Sequence, residues 1–129
     1  PGLDPKCPAE DAFESFVWEE DSYLLAPGEF LLGTTIETFL IPANIMGLCI
    51  ARSTYARHGV ICHTTPLIPG FQGQVTLEIV NTCNRAVKIY PGEGICQFIF
   101  FNMTGDAEKD YAQLGGRYMH QIGTTGPRR

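Results

Sequence analysis

The fold class of this chain is set by the stretch Gln74-Val-Thr-Leu-Glu-Ile-Val-Asn81. Its aliphatic residues occupy every second position, so Val75, Leu77 and Ile79 share one face. Glu78 lies on the opposite face with the polar residues. Strict alternation is typical of a β-strand with one buried side, because successive side chains of a strand point to opposite faces of the sheet. We therefore predict a strand that buries its aliphatic side and carries Glu78 on the other.

A polar segment lies upstream of this strand, between two apolar runs. It reads Arg52-Ser-Thr-Tyr-Ala-Arg-His-Gly59 and combines two arginines with a serine and a threonine. A guanidinium fork matches phosphate oxygens, and a carboxylate on a rigid strand can move protons. The two segments together indicate a site for an anionic substrate that undergoes proton transfer.

Further strands are predicted on both sides of these segments. Turn residues recur roughly every 8 to 12 residues and helical periodicity is weak, which is typical of an all-β sandwich or barrel. Gly33 is a candidate for a β-bulge, and at most a short helical turn is expected at residues 55–57. The other predicted strands cover residues 13–18, 30–39, 45–51, 60–64, 86–90 and 95–101, the last of them as a buried strand.

A length of 129 residues predicts one domain. We divide it into an N-terminal arm at 1–12, a β-barrel at 13–101 and a C-terminal tail at 102–129. The tail is glycine-rich and basic toward its end, so we expect it to bury too little surface to order itself. It is either a frayed terminus or a lid that orders over a phosphorylated ligand through Arg117, Arg128 and backbone amides.

Composition narrows the choice of partners. The net charge of −5 argues against duplex nucleic acid, although a few arginines in one pocket suffice for a nucleotide. No apolar run reaches the ~18 residues that a membrane span needs, so no membrane partner is expected. The five cysteines are odd in number and include no Cys-x-x-Cys pair, which favours reduced thiols in a cytoplasmic protein. Cys49 and Cys96 lie in apolar runs and are predicted to be core residues.

Four motifs occur in one order, namely Arg52-Ser-Thr-Tyr-Ala-Arg-His-Gly59, Thr65-Pro-Leu67, Gly73-Gln-Val-Thr-Leu-Glu-Ile-Val-Asn81 and Gly115-Gly-Arg-Tyr-Met-His-Gln-Ile-Gly123. With them the chain resembles the dCTP deaminases, which share a superfamily with the trimeric dUTPases. The resemblance covers nearly the whole chain. It implies a distorted β-barrel of jelly-roll type, of the dUTPase-like β-clip class, with a flexible C-terminal tail that closes over the nucleotide. It also implies a homotrimer whose active sites lie between subunits.

The reaction that the resemblance implies is the hydrolysis of dCTP to dUTP and ammonia without zinc. The chain lacks the His-x-Glu and Pro-Cys-x-x-Cys pattern of zinc deaminases. Magnesium is expected to arrive with the triphosphate, held by phosphate oxygens and water rather than by a protein cage.

The resemblance assigns catalytic roles to three residues. Glu78 is the base that transfers protons, Ser53 positions the attacking water, and Arg57 stabilises charge beside the reacting ring. From the residues alone, the alternatives are a solvated strand glutamate, a turn hydroxyl and a surface ion pair. The implied substrate contacts are Arg52 and Thr54 at the phosphates, backbone groups of Thr64, Thr65 and Pro66 at the base, and Tyr111, Arg117, Tyr118 and Gln121 at the sugar and phosphates.

Some features depart from the family pattern. Ile68 stands where relatives carry a carboxylate, which leaves sugar recognition at this loop open and argues against a dUTPase. The N-terminal helix and strands of the family are absent from this sequence, and its start at Pro1 rather than Met predicts a trimmed form or a fragment. His58, His63 and His120 do not have ligand spacing, so we expect no metal site. His63 is predicted to lie beside the pocket, where it either contacts the ligand or packs, and packing is the favoured role.

Three alternatives to a dCTP deaminase follow. The chain could be a bifunctional dCTP deaminase and diphosphatase, or a deaminase of another cytosine nucleotide. It could also be a catalytically silent nucleotide-binding trimer with a regulatory role. The retained Ser53, Arg57 and Glu78 favour an enzyme.

Overall fold

The structure is a computed structural model that describes residues 2–8, 12–126 and 128. The predicted arm at 1–12 and tail at 102–129 therefore include positions 1, 9–11, 127 and 129, which lie outside the described residues. The predicted all-β class is confirmed. The described elements are β1 (Tyr23–Leu25), β2 (Phe30–Leu40), β3 (Ile45–Ala51), α1 (Ser53–Arg57), β4 (Val60–His63), β5 (Gln72–Asn81), β6 (Val87–Ile89) and β7 (Cys96–Asn102).

The strands form three antiparallel sheets. The central sheet has the order β2-β5-β4, while β1 pairs with β6 and β3 pairs with β7. Among the described residues these sheets do not join through hydrogen bonds into a closed barrel. They pack through side chains instead, with β3 lying against β4. The described part of the chain also contains no helix that is long and apolar enough to cross a membrane.

Strand β5 forms the centre of the core. Its predicted alternation is confirmed, because Val75, Leu77 and Ile79 are 3%, 6% and 4% exposed whereas Glu78 is only partly buried. The core is completed by aliphatic, aromatic and thiol side chains from the other strands and loops. Burying one such aliphatic side chain stabilises a fold by about 1.5–3 kcal/mol, and truncating it to alanine costs about 2–5 kcal/mol. This packing holds the opposite face of β5, with Glu78, in a rigid position.

One polar side chain is fully buried at the end of β5. Asn81 is 0% exposed. Its Nδ2 donates to the carbonyls of Leu25 at 3.0 Å and Arg85 at 2.9 Å, and its Oδ1 accepts from the amide of Cys83 at 2.9 Å. Because every polar atom of this amide is paired, its burial is tolerated. Asn81 thereby joins β5 to β1 and to the turn that leads into β6.

The predicted strand at 13–18 is wrong. Its aromatic residues make ring contacts instead of a backbone ladder, with Phe16 stacked on Tyr23 at 5.9 Å and Trp18 edge-on to Tyr23 at 4.8 Å. The Trp18 Nε1 donates to the carbonyl of Ser22 at 2.9 Å. The neighbouring strand β1 was missed, because only three residues of it pair with β6.

Two further expectations need correction. The ladder between β2 and β5 runs without interruption through Gly33, and its register shifts between Thr34 and Thr38. Gly33 lies close to the core, since a Cβ there would be 3.3 Å from Ile79 Cδ1. Strand β7 is not buried, because Phe100 and Phe101 are 50% and 49% exposed. Among the described strands β7 pairs only with β3, so its other edge has no hydrogen-bonded neighbouring strand.

Candidate active site

A cleft of about 290 Å³ opens beside β5 on the face that carries Glu78. Leu32 of β2 and Thr76 of β5 contribute to its wall next to Glu78. Of the described residues that line this cleft, Glu78 is the only one with a carboxylate. The remaining lining is largely aromatic and aliphatic.

The side chains of Glu78 and His63 are in polar contact. The two residues are directly opposite in the antiparallel register of β4 and β5, so their side chains share one face. The Nε2 atom of His63 lies 3.0 Å from Oε2 of Glu78, and the side chains are 53% and 32% exposed. No hydrogen bond reaches Glu78 Oε1 from the residues that the structure describes. The sequence analysis favoured a packing role for His63 and missed this contact. Antiparallel pairing of the two predicted neighbouring strands was the feature that could have revealed it.

The loop after β4 forms a second wall. The predicted base-contacting residues Thr64, Thr65 and Pro66 all line the cleft. The loop is anchored by a two-way backbone pairing, in which the amide of Leu67 donates to Gly47 at 2.8 Å and the amide of Gly47 donates back at 3.0 Å. Ile68 also lines the cleft. This wall therefore offers backbone groups and an apolar side chain where a carboxylate was expected from the family pattern.

The C-terminal tail supplies a third wall. The expectation that the tail cannot order itself is wrong for its described part, because Gln121 is only 7% exposed. The predicted substrate-contacting residues Tyr111, Tyr118 and Gln121 line the cleft together. The Tyr111 ring meets Phe71 edge-on at 5.3 Å, and its hydroxyl accepts from the amide of Tyr118 at 2.8 Å. Contacts of apolar rings and backbone groups hold the tail at the cleft. The high glycine content of the tail gave no indication of these contacts.

Gln121 has a polar atom without a protein partner. Its Nε2 donates to the carbonyl of Gln74 at 2.6 Å, but its buried Oε1 accepts no hydrogen bond from the described residues. A buried acceptor of this kind is uncommon in folded proteins and calls for a donor. Gln121 as a residue is part of the cleft lining.

The predicted phosphate-binding arginines of the tail lie outside the cleft lining. Arg117 Nη1 donates to the carbonyl of Arg128 at 3.1 Å, and Arg128 Nη1 donates to the carbonyl of Arg117 at 3.3 Å. The amide of Arg128 also donates to the Tyr118 hydroxyl at 3.3 Å. Both arginines are exposed, so this reciprocal pairing holds two cations near the tail residues of the cleft.

The residues of the polar segment are also separate from Glu78 within one chain. None of Arg52, Ser53, Thr54 and Arg57 lines the cleft, and all four are exposed. Helix α1 packs against β4, and Arg52 Nη1 donates to the carbonyl of Gly94 at 3.0 Å. A single chain thus brings Glu78 together with the loop and tail residues, but not with the serine and arginines predicted to act beside it.

The described residues contain no group of three or more histidine, cysteine or acidic side chains arranged to hold a metal ion. The three buried or half-buried thiols of Cys49, Cys62 and Cys96 interact with one another instead. Hydrogen bonds to Cys49 and Cys96, together with burial, raise the pKa of the Cys62 thiol.

Comparison with known proteins identifies the family. A family described as dCTP deaminase-like matches residues 3–103. The chain belongs to the dCTP deaminase-like family. This confirms the resemblance found in the four sequence motifs. The match extends across the sheets and the Glu78 strand, and it ends where the tail begins.

Curated relatives agree with the assignment to the dCTP deaminase-like family. A dCTP deaminase of Gluconobacter oxydans is 45% identical over 126 residues, which cover 98% of this chain and 67% of that protein. A dCTP deaminase of Wolbachia from Drosophila simulans is 44% identical over 125 residues, covering 97% of this chain and 66% of its own length. The chain therefore spans about two-thirds of the length of these relatives.

Solved structures show that the dCTP deaminase-like chain has the jelly-roll-like fold of dUTPases. The native dUTPase of EIAV superimposes with a TM-score of 0.59 at 16% identity, over 68% of this chain and 73% of that one. A dUTPase of the Staphylococcus aureus phage phi11, described with a structural Mg(II) ion, superimposes with a TM-score of 0.58 at 16% identity, over 69% and 76% of the chains. At such low identity the likeness concerns the fold alone.

Proposed function

We propose that this chain is the catalytic domain of a hydrolytic deaminase that converts dCTP and water to dUTP and ammonia. The observation that carries the proposal is the position of Glu78, a lone carboxylate in a cleft bordered by the Thr64–Pro66 loop. The membership of the dCTP deaminase-like family and the activity named for its curated relatives support the same reaction. The protein would act in pyrimidine deoxynucleotide metabolism in the cytoplasm.

The chemistry assigns Glu78 the central role. Water must add to C4 of the cytosine ring, and the amino group must leave as ammonia. Free water is a poor nucleophile, so Glu78 accepts its proton as the new carbon–oxygen bond forms. The same carboxyl gives this proton to the ring nitrogen. It then takes the second proton from the new hydroxyl and passes it to the amine, which leaves as ammonia while the C4 carbonyl forms. A bound nucleotide and the apolar lining of the cleft would together keep bulk water away from these transfers.

The remaining catalytic groups come from a second copy of the chain. Ser53 would hold the attacking water, and Arg57 would stabilise the negative charge that develops on the ring. Both residues are exposed and lie outside the cleft of their own chain, which supports a site shared between subunits. The half-exposed aromatic residues of β7 offer apolar surface for such an assembly, which we take to be a homotrimer.

The substrate would be held on three sides. Backbone groups of the 64–66 loop meet the cytosine edge, and Tyr111, Tyr118 and Gln121 meet the sugar. The triphosphate, carrying Mg²⁺ on its own oxygens and on water, would be bound by the cationic and hydroxyl side chains of the tail and of a neighbouring copy, namely Arg117, Arg52 and Thr54.

A product assay tests the proposed reaction. The protein is incubated with dCTP, dCMP, CTP or dUTP, and ammonia and nucleotides are followed by chromatography. Formation of dUTP and ammonia from dCTP is expected. EDTA should slow the reaction, and added Mg²⁺ should restore it. Production of dUMP would identify a bifunctional deaminase and diphosphatase, and binding of dCTP without turnover would identify a silent regulatory module.

A further inference from the structure

The contact between His63 and Glu78 involves only one of the two carboxylate oxygens. Glu78 lines the cleft, whereas His63 lies outside that lining, at the end of β4. Their contact uses Glu78 Oε2 alone, at 3.0 Å from Nε2 of the imidazole. Glu78 Oε1 receives no hydrogen bond from the described residues. One oxygen is therefore held by His63, whereas the other has no protein partner among the described residues.

We infer that His63 is a positioning residue for Glu78, which fixes the carboxylate through Oε2 so that Oε1 faces the attacking water. The inference rests on the proposed deaminase function and adds a residue to it. The strand backbone sets the two Cα positions, because His63 and Glu78 are register partners in β4 and β5. This contact then selects one rotamer of a glutamate whose side chain is one-third exposed and would otherwise sample several.

The surroundings of Glu78 favour this role for His63. No lysine or arginine is among the described residues that line the cleft, so no other cation competes for the carboxylate there. The remaining titratable groups of the lining are the hydroxyls of Tyr111 and Tyr118. The Nε2–H tautomer of a neutral imidazole donates as the protonated ring does, so this tautomer holds the carboxylate in both states. A general base gains from such fixation because it must lie within hydrogen-bond reach of the proton that it removes.

Kinetics of His63 variants test the inference. In an active wild type, His63→Ala should lower kcat for dCTP about tenfold while KM stays within about twofold, because a misaligned base slows chemistry without removing a substrate contact. His63→Gln keeps a side-chain N–H donor and should return kcat to within about threefold of the wild type. Lys88→Ala, an exposed strand change in the β1–β6 sheet, serves as the matched control.

Nitrogen NMR of the histidine rings supplies a reading that does not depend on turnover. Glu78→Gln should change the ring ¹⁵N shifts of His63. The ring of His58, whose Nδ1 lies 2.7 Å from the carbonyl of Thr54, should not respond. A wild type that releases no ammonia from dCTP overturns the proposed function and this inference together. An active wild type with normal kcat in His63→Ala, a failed rescue by His63→Gln, or unchanged His63 shifts in Glu78→Gln overturns the inference alone.

Discussion

Two hydrogen bonds join Gln74 and Gln121. The amide of Gln74 donates to the carbonyl of Gln121 at 2.9 Å, and the side-chain Nε2 of Gln121 donates to the carbonyl of Gln74 at 2.6 Å. The tail continues along the same strand, where the amide of Thr125 donates to the Thr76 hydroxyl at 3.1 Å. The tail is thus docked on β5, the strand that presents Glu78. Strand β5 therefore positions both the tail and Glu78.

Gly73→Ala should release the tail. Gly73 has a φ of +141°, and a Cβ there would lie 2.9 Å from the amide nitrogen of Gln121. Both the backbone strain and the clash fall on the docking contact. We expect faster proteolysis of the tail and a KM for dCTP raised severalfold, measured by limited digestion and kinetics. Gly92→Ala also has a positive φ but open space around it, and it should leave the tail protected.

Glu78→Gln should abolish deamination while nucleotide binding survives. The amide has nearly the shape of the carboxylate but cannot accept a proton from water. We expect kcat to fall by at least about a hundredfold, the usual contribution of general acid–base catalysis, with dCTP affinity within a few-fold. Ammonia release and calorimetric titration measure the two effects. The control Glu37→Gln changes an exposed strand glutamate outside the cleft. Near-normal turnover in Glu78→Gln would refute the assignment of the base.

A mixture of two inactive variants should recover activity if the site is shared between copies. Glu78→Gln and Arg57→Ala damage residues that one chain keeps apart. After co-refolding in equal amounts, random assortment leaves about one site in four with both residues intact in a cyclic oligomer. About a quarter of wild-type activity is therefore expected. A mixture as inactive as its components would show that each chain builds its site alone.

Tyr23→Phe should destabilise the fold in a pH-dependent way. The Tyr23 hydroxyl donates to Glu29 Oε1, and this hydrogen bond, with burial and the Glu29 charge, raises the pKa of Tyr23 above 10.0. The stabilisation is complete below the unfolded-state value and is lost as pH rises through the folded-state value.

Urea unfolding should therefore show a loss of about 1 kcal/mol in Tyr23→Phe at pH 8. The difference from the wild type should shrink above pH 10. Tyr90→Phe, at an exposed position, should be neutral at pH 8. Equal stability of Tyr23→Phe and the wild type at pH 8 would show that this hydrogen bond does not stabilise the fold.

Cys62 should resist thiol reagents until the chain unfolds. The side chain is 1% exposed, and hydrogen bonds to neighbouring thiols with burial raise its pKa, so little reactive thiolate forms. Labelling with iodoacetamide at pH 8, read by mass spectrometry, should modify Cys62 only in denaturant. Rapid native labelling of Cys62 would show that β4 opens readily.

Much of the architecture could be predicted from local patterns. The β5 alternation identified its buried face and the exposed side of Glu78, and strand β3 matches its predicted range, 45–51. Prediction failed where side-chain contacts compete with backbone pairing. A strand was predicted for the aromatic residues at 13–18, but Phe16 and Trp18 pack on Tyr23 instead. The tail read as unable to order itself, yet Gln121 is buried against Gln74.

The sequence by itself determined the all-β class, the family and the strand that carries Glu78. The reason is that alternation and motif order depend only on the spacing of residues along the chain. Only the tertiary structure decided which side chains meet. It paired His63 with Glu78, docked the tail on β5, and left Arg57 outside the cleft of its own chain. Such contacts join residues that are distant in sequence, and strand register and packing, rather than local propensity, set their distances.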